Sequence, residues 1–147
     1  MLKEDRIGIY KYVEGILCDI TENIYLMNEP QELTQSDTED GFIVIRVGDL
    51  NDESEFQGEA FGFARVFVEV YVPPMSRGRL DVDKYTSFET QINDVIREAS
   101  SSTNEESDTY WIREGSVVSM DTNETTNADN IYYMFIKSFI VEIDKKQ

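Results

Sequence analysis

Histidine is missing from this chain altogether, and cysteine occurs once, as Cys18. Without imidazole there is no Ser-His-Asp triad, no Cys-His pair and no histidine-bound zinc. A single cysteine closes no internal disulfide, which suits a reducing compartment. Base is scarce too: 13 Lys and Arg stand against 30 Asp and Glu in 147 residues, a formal charge of −17. With a pI near 4.2, the chain lacks the net basic surface that phosphate backbones and anionic membranes require. No apolar run approaches the ~20 residues that cross a bilayer. The opening Met1-Leu2-Lys3-Glu4-Asp5-Arg6 has no apolar signal-peptide core, so no export signal is expected.

What remains is enough for one domain. A 40% hydrophobic, 12% aromatic chain of this length can bury a core, and residues 1–147 are expected to form a single domain. The acidity is unevenly placed. Residues 28–60 hold ten acids against Arg46, and residues 98–130 hold eight against Arg113, so these two segments carry sixteen of the seventeen excess negative charges. The acidic segments are either solvated loops that maintain solubility or one acidic surface with a function.

Periodicity divides the chain further. Tyr10, Val13, Leu17, Ile20, Ile24 and Met27 recur at three and four residues, which predicts a helix over 3–27 ended by Pro30. Residues 29–40 lack periodicity and read as loop. The β-branched stretch 41–47 reads as a strand, and Asp49–Gly58 as an acidic loop. In 60–72 alternation is strict: Ala64, Val66, Val68, Val70 and Val72 share one face, and Phe63, Arg65, Phe67, Glu69 and Tyr71 the other. The valine face predicts core. The aromatic and charged face is expected to meet solvent or another subunit. Pro73 and Pro74 stop that strand, and a loop over 73–80 follows, with Arg77 and Arg79. A second helix is expected over 82–99, capped by Asp81 or Asp83 and striped by Tyr85, Phe88, Ile92, Val95, Ile96 and Ala99. Residues 109–120 read as a strand or hairpin with Gly115 at a turn or bulge, 121–129 as a polar loop, and 130–143 as a long central strand covered on both faces. The expected fold is therefore α+β, a mostly antiparallel sheet with two helices packed on it in the order α-β-β-α-β-β.

Chemistry finds little foothold. Asp49, Asn51, Glu53 and Glu55 alternate like the start of a calcium loop, but Ser54 and Ala60 stand where that loop needs its glycine and closing glutamate. Asp121, Asn123, Thr125, Asn127 and Asp129 alternate without a closing glutamate as well. No pair of carboxylates is marked out for acid–base work, and Gly58, Gly62 and Gly78 match no phosphate-binding pattern. Cys18, beside the first helix's apolar stripe, is expected to be buried and inert. Neither an enzyme nor a cofactor or metal protein is expected. Arg77 and Arg79, with Lys84, make the one local basic site, suited to an acidic surface such as that of a neighbouring copy.

The stretch Phe61–Ile96 carries a resemblance. A long strand ending in Val-Glu-Val-Tyr-Val at 68–72, an exposed loop and an amphipathic helix with Phe88, Ile92 and Ile96 resemble the tail-terminator and neck (tail completion) proteins of tailed bacteriophages. The likeness covers most of the chain as an order of elements and rests on no diagnostic motif. The acidic stretch 28–60 is longer than the pattern. The resemblance implies a virion structural protein, assembled in the cytoplasm of a host bacterium. It would form a ring, commonly of six copies, at the head–tail junction or tail end, stop tail-tube growth and let DNA pass. It implies tail-tube and head-connector partners. On that reading Phe63, Phe67, Tyr71, Arg77 and Arg79 form a subunit or partner interface, and Asp49, Asp52, Glu53, Glu55, Asp121 and Glu124 line an acidic lumen or docking loops. No membrane partner and no specific nucleic-acid binding are expected, since an acidic lumen repels phosphates. Two other readings fit the charge: an acidic DNA mimic that occupies a basic enzyme cleft, and an immunity or adaptor protein for one basic partner.

Overall fold

The computed structural model describes residues 3–28, 30–52, 61–101, 110–127 and 130–144. The elements are α1 (Lys3–Leu17), β1 (Ile24–Leu26), α2 (Gln35–Asp40), β2 (Phe42–Asp52), β3 (Phe61–Val72), a 3-10 turn (Ser76–Gly78), α3 (Val82–Ser101), β4 (Tyr110–Ile112), β5 (Val118–Asn127) and β6 (Asn130–Asp144). The strands form one sheet in the order β1-β2-β3-β6, with β4 and β5 end to end along the far side of β6. Among the described strands only β1–β2 is parallel; every other pairing is antiparallel. The fold is α+β, as the sequence patterns predict.

Alternation along the strands sorts side chains onto two faces. Ala64, Val66, Val68, Val70 and Val72 are completely buried on one of them, together with Ile43, Ile45, Phe135, Phe139 and Val141. Helix α1 lays Ile9, Val13 and Leu17 on this face, and α3 lays down Phe88, Ile92 and Ile96. Each fully buried aliphatic or aromatic side chain contributes roughly 1.5–3 kcal/mol, so this layer dominates the fold's stability. The other face has no helix over most of its area among the described residues. The expectation that β6 is covered on both faces is corrected accordingly: β6 is central, but helices α1 and α3 serve one face only.

Several boundaries also differ from expectation. Helix α1 stops at Leu17, not 27, because Asp19, Thr21 and Asn23 turn the backbone, with Asn23 N–H donating to Thr21 Oγ1 at 3.1 Å. Ile24 then belongs to β1 rather than to a helical stripe. The stretch 29–40 contains a helix, α2. Its capping box joins Thr34 Oγ1 to the Asp37 N–H at 3.1 Å, and Asp37 Oδ2 back to the Thr34 N–H at 2.9 Å. The expected loops at 49–58 and 121–129 begin as strand: β2 runs on to Asp52 and β5 to Asn127. Threonine and alternation suit a polar edge strand as well as a loop.

Gly41 links α2 to β2 at φ 90°, ψ 176°, a region open essentially to glycine. A Cβ there would stand 2.5 Å from the Tyr71 carbonyl oxygen. Gly41→Ala is therefore expected to destabilise the fold by about 1–3 kcal/mol, read as a lower urea midpoint with an unchanged slope.

Candidate functional site

The face away from α1 and α3 is the candidate site, and strand register lays it out in rows. Arg46, Phe67, Ser138 and Val118 form one row across β2, β3, β6 and β5. Val44, Glu69, Ile136 and Met120 form the next, and Arg65 faces Ile140. Phe63, Glu142 and Trp111 form a row across β3, β6 and β4. Phe63, Phe67, Ile136 and Ile140 are partly buried, while Val118 and Met120 are 49% and 41% exposed.

Polar groups on this face are held in place. Glu142 accepts from Trp111 Nε1 at 2.6 Å through one oxygen, and from Arg113 Nε and Nη2 at 3.1 and 2.8 Å through the other. The Arg113 guanidinium lies 4.7 Å above the centre of the Phe63 ring, a cation–π geometry. Arg46 pairs with Glu69 at 2.9 Å, and Glu69 also accepts from the Tyr71 hydroxyl at 3.1 Å. Arg65 Nη1 donates to Ser138 Oγ at 2.9 Å.

One end of the face is closed. Tyr25, Leu33 and Met134 pack on a cluster of Phe42, Val44, Tyr71 and Tyr132. Phe42 and Tyr71 stack with centroids 4.5 Å apart, and Tyr132 meets Phe42 edge-on at 5.4 Å. Tyr71 is only 2% exposed, so its expected interface role is corrected: it belongs to this buried cluster. Asp37 of α2, wholly buried, ties that helix to the edge of the cluster by accepting from the Tyr25 hydroxyl at 2.6 Å. Burial and then this bond push the Tyr25 pKa up to about 12, and burial also raises those of Tyr12, Tyr110 and Tyr132.

The loop after β3 presents Arg77 and Arg79, both exposed. Arg77 sits at φ 66°, and Tyr133 donates to the Gly78 carbonyl at 2.7 Å, fastening the loop to β6. Lys84 Nζ donates to the Glu39 carbonyl at the end of α2, at 2.7 Å. Asp81 caps α3 as expected, accepting from the Lys84 N–H at 3.1 Å. Below this loop an open cleft of about 620 Å³ has Phe88 and Met75 among its apolar walls and Asp40, Asp81 and Asp83 among its acids.

The acidic residues fare differently. Asp49 and Asp52 lie in β2, and Asp121 and Glu124 in β5, so these four belong to strands rather than loops. Glu53 and Glu55 lie outside the described residues. The alternating stretches read against a calcium loop are strand where described. Among the described residues no group of three or more Cys, Asp or Glu is gathered to hold a metal. Among them, too, no helix is long and apolar enough to cross a membrane. Cys18 is exposed, not buried, with Sγ 3.2 Å from the Gly15 carbonyl. It falls just past the last turn of α1, where the stripe no longer faces the sheet.

Two features had no clear signal in the sequence. Lys137 is buried against the helix-covered face, its Nζ 2.7 Å from Ser119 Oγ and 3.5 Å from Glu89. Ser116 repairs the break between β4 and β5. Its hydroxyl donates to the Arg113 carbonyl at 2.6 Å and accepts the Ile140 N–H at 3.0 Å. Gly115, at φ 77°, makes the turn, as the reading of a turn or bulge there anticipates.

A scan against protein-family models finds no match, and a search of curated proteins finds none either.

Two outcomes are expected. Ser116→Ala takes the acceptor away from the Ile140 N–H of the central strand and should cost about 1–3 kcal/mol in chemical denaturation. A tyrosine pKa raised on folding adds stability that is complete below pH 10 and is lost as pH rises towards the folded value. Stability should therefore fall between pH 10 and about 12, and Tyr25→Phe should flatten that fall; an unaltered slope would exclude Tyr25 as a cause.

Proposed function

We propose that this chain is a virion structural protein of the tail-terminator or neck type. Copies of it join in a ring at the head–tail junction or tail end, close the tail tube and leave a passage for DNA. The observation that carries the reading is the face of β3 and β6 turned away from α1 and α3. It offers Phe63, Phe67, Ile136 and Ile140 among fixed arginine and glutamate pairs. Aromatic groups and arginine are enriched at the centres of protein interfaces, and there they dominate binding. Nothing in the described site assembles a nucleophile, a base and an acceptor of developing charge, which favours a role in assembly over one in catalysis.

The order of elements supports the same reading. A long β2–β3 pairing, the arginine-bearing loop, α3 and the closing strands β4 to β6 follow the sequence of parts on which the phage resemblance rests. The formal charge of −17 adds to it, since a ring of acidic subunits presents DNA phosphates with a repulsive wall and the genome slides instead of sticking. Arg77 and Arg79 extend beyond the fold as a second contact, suited to an acidic surface of the next copy or of the tail tube.

Light scattering on the purified chain, alone and with tail-tube protein, tests the reading. Ring-sized particles or capping of tubes are expected. A protein that stays monomeric at high concentration and leaves tubes uncapped refutes it. R77E/R79E should weaken assembly at low salt while leaving the melting temperature within a few degrees. Tight, DNA-competitive inhibition of a nuclease would instead identify a DNA mimic.

A further inference from the structure

The corner where β3 gives way to α3 carries both signs of charge side by side. The loop 75–79 is held by its own backbone and by β6. The Met75 N–H donates to the Arg79 carbonyl at 2.7 Å, the Gly78 N–H donates to the Met75 carbonyl at 3.1 Å, and the Tyr133 hydroxyl holds the Gly78 carbonyl. That frame keeps Arg77 at φ 66°, a region few residues other than glycine occupy, and so presents two exposed guanidinium groups on a preformed mount. Beside it opens the cleft of about 620 Å³, with Asp40, Asp81 and Asp83 around the apolar ground of Phe88 and Met75. These opposite charges do not pair within the chain. Among the described residues neither Arg77 nor Arg79 reaches a carboxylate; Arg79 Nε meets the Ser76 carbonyl at 3.5 Å. Asp83 has no partner among them either. The same corner leaves Val82 61% and Met75 47% exposed, so apolar area and unpaired charge of both signs lie together.

We infer that this corner is a two-fold contact between copies, the loop 75–79 of each seated in the cleft of the other. A two-fold interface is self-complementary, the same patch serving on both sides. A patch with adjacent cationic and anionic halves meets that condition, because half a turn about an axis between them brings each loop to the other copy's carboxylates at once. A different partner would have to present both signs in reversed order, and a second copy does so by symmetry. Asp81 already accepts the Lys84 N–H that caps α3, which leaves Asp40 and Asp83 to receive the arginines. Arginine suits such a contact, since its guanidinium is weakly hydrated and offers a carboxylate a fork of donors. A loop already fixed by its backbone loses little freedom on binding. None of these residues lies on the open face, so the inference goes beyond the ring reading and does not depend on it. A ring formed through that face would pair with a second ring here.

The experiment uses the full chain in analytical ultracentrifugation at about 0.15 M salt, with thermal melts to verify folding. At that salt the repulsion between two chains of −17 is damped beyond roughly 8 Å. Wild type should form a species of two chains, and rings, where present, should sediment in pairs. R77E/R79E makes the loop anionic, and D40K/D83K makes the cleft cationic. Each variant alone opposes like charges at both contacts and should weaken association about tenfold or more. Mixed one to one they should associate again, since the anionic loop of one meets the cationic cleft of the other, and the reverse holds at the second contact. Folded variants that associate like wild type, or a mixture that stays apart, overturn the inference. An unpaired ring that D40K/D83K leaves unchanged also overturns it and leaves the ring reading standing. A two-chain species that makes no ring and caps no tail tube supports the inference and overturns the ring. A wild-type chain that stays monomeric with and without tail tubes overturns both.

Discussion

The antiparallel pairing of β3 with β6, unbroken over twelve residue pairs from Phe61–Asp144 to Val72–Tyr133, is the constraint on which this fold depends. Both strands are interior, β3 bounded by β2 and β6 bounded by β4 and β5, so their backbone groups have partners on both sides. With the ladder saturated, register is decided by side chains, and a slip of one residue would turn the valine row of β3 towards the open face. That cost fixes the sheet. Helices α1 and α3 must lie where the valines are, and the arginines, glutamates and aromatics must lie where the helices are not.

Departures from regular pairing occur where strands leave this central ladder, and side chains repair them. Register shifts between Val47 and Leu50 in β2, and the Tyr10 hydroxyl, reaching in from α1, accepts the Val47 N–H at 3.1 Å. The outer strand breaks between Ile112 and Val118, and Ser116 takes over the hydrogen bond of Ile140. β5 shifts register again between Thr122 and Thr125. An outer strand interrupted in this way is a poor template for uncontrolled strand addition.

How far the sequence discloses this depends on whether a signal is local. The alternation in 60–72 and the stripe from Tyr85 to Ala99 each repeat many times, and they correctly indicate β3, α3 and the valine core. The stripe through Ile20, Ile24 and Met27 continues a helical spacing past the point where Asp19, Thr21 and Asn23 turn the chain. Spacing alone cannot register that turn. Helix α2 is only six residues long, too short for periodicity, although Thr34 and Asp37 carried its capping signature in plain view. Tyr71 alternates with Phe67 and Phe63 along one strand, and nothing in a strand on its own tells that Tyr71 joins a buried aromatic cluster while Phe63 and Phe67 stay partly exposed. The ring of contacts around Glu142 joins residues 29 and 31 apart, a distance over which no short pattern reports.

The open face carries charge without leaving it bare. An unpaired ion is expensive to desolvate, and the face pairs Arg46 with Glu69 and Arg113 with Glu142 at 2.9 and 2.8 Å, which turns four charges into two near-neutral units packed among phenylalanines. The Arg65 guanidinium is held by the Ser138 hydroxyl at 2.9 Å. Because each ion pair joins groups from different strands or their ends, breaking one would leave a half-buried charge without its partner, so the contacts that lower the charge of the face also hold its side chains in one arrangement.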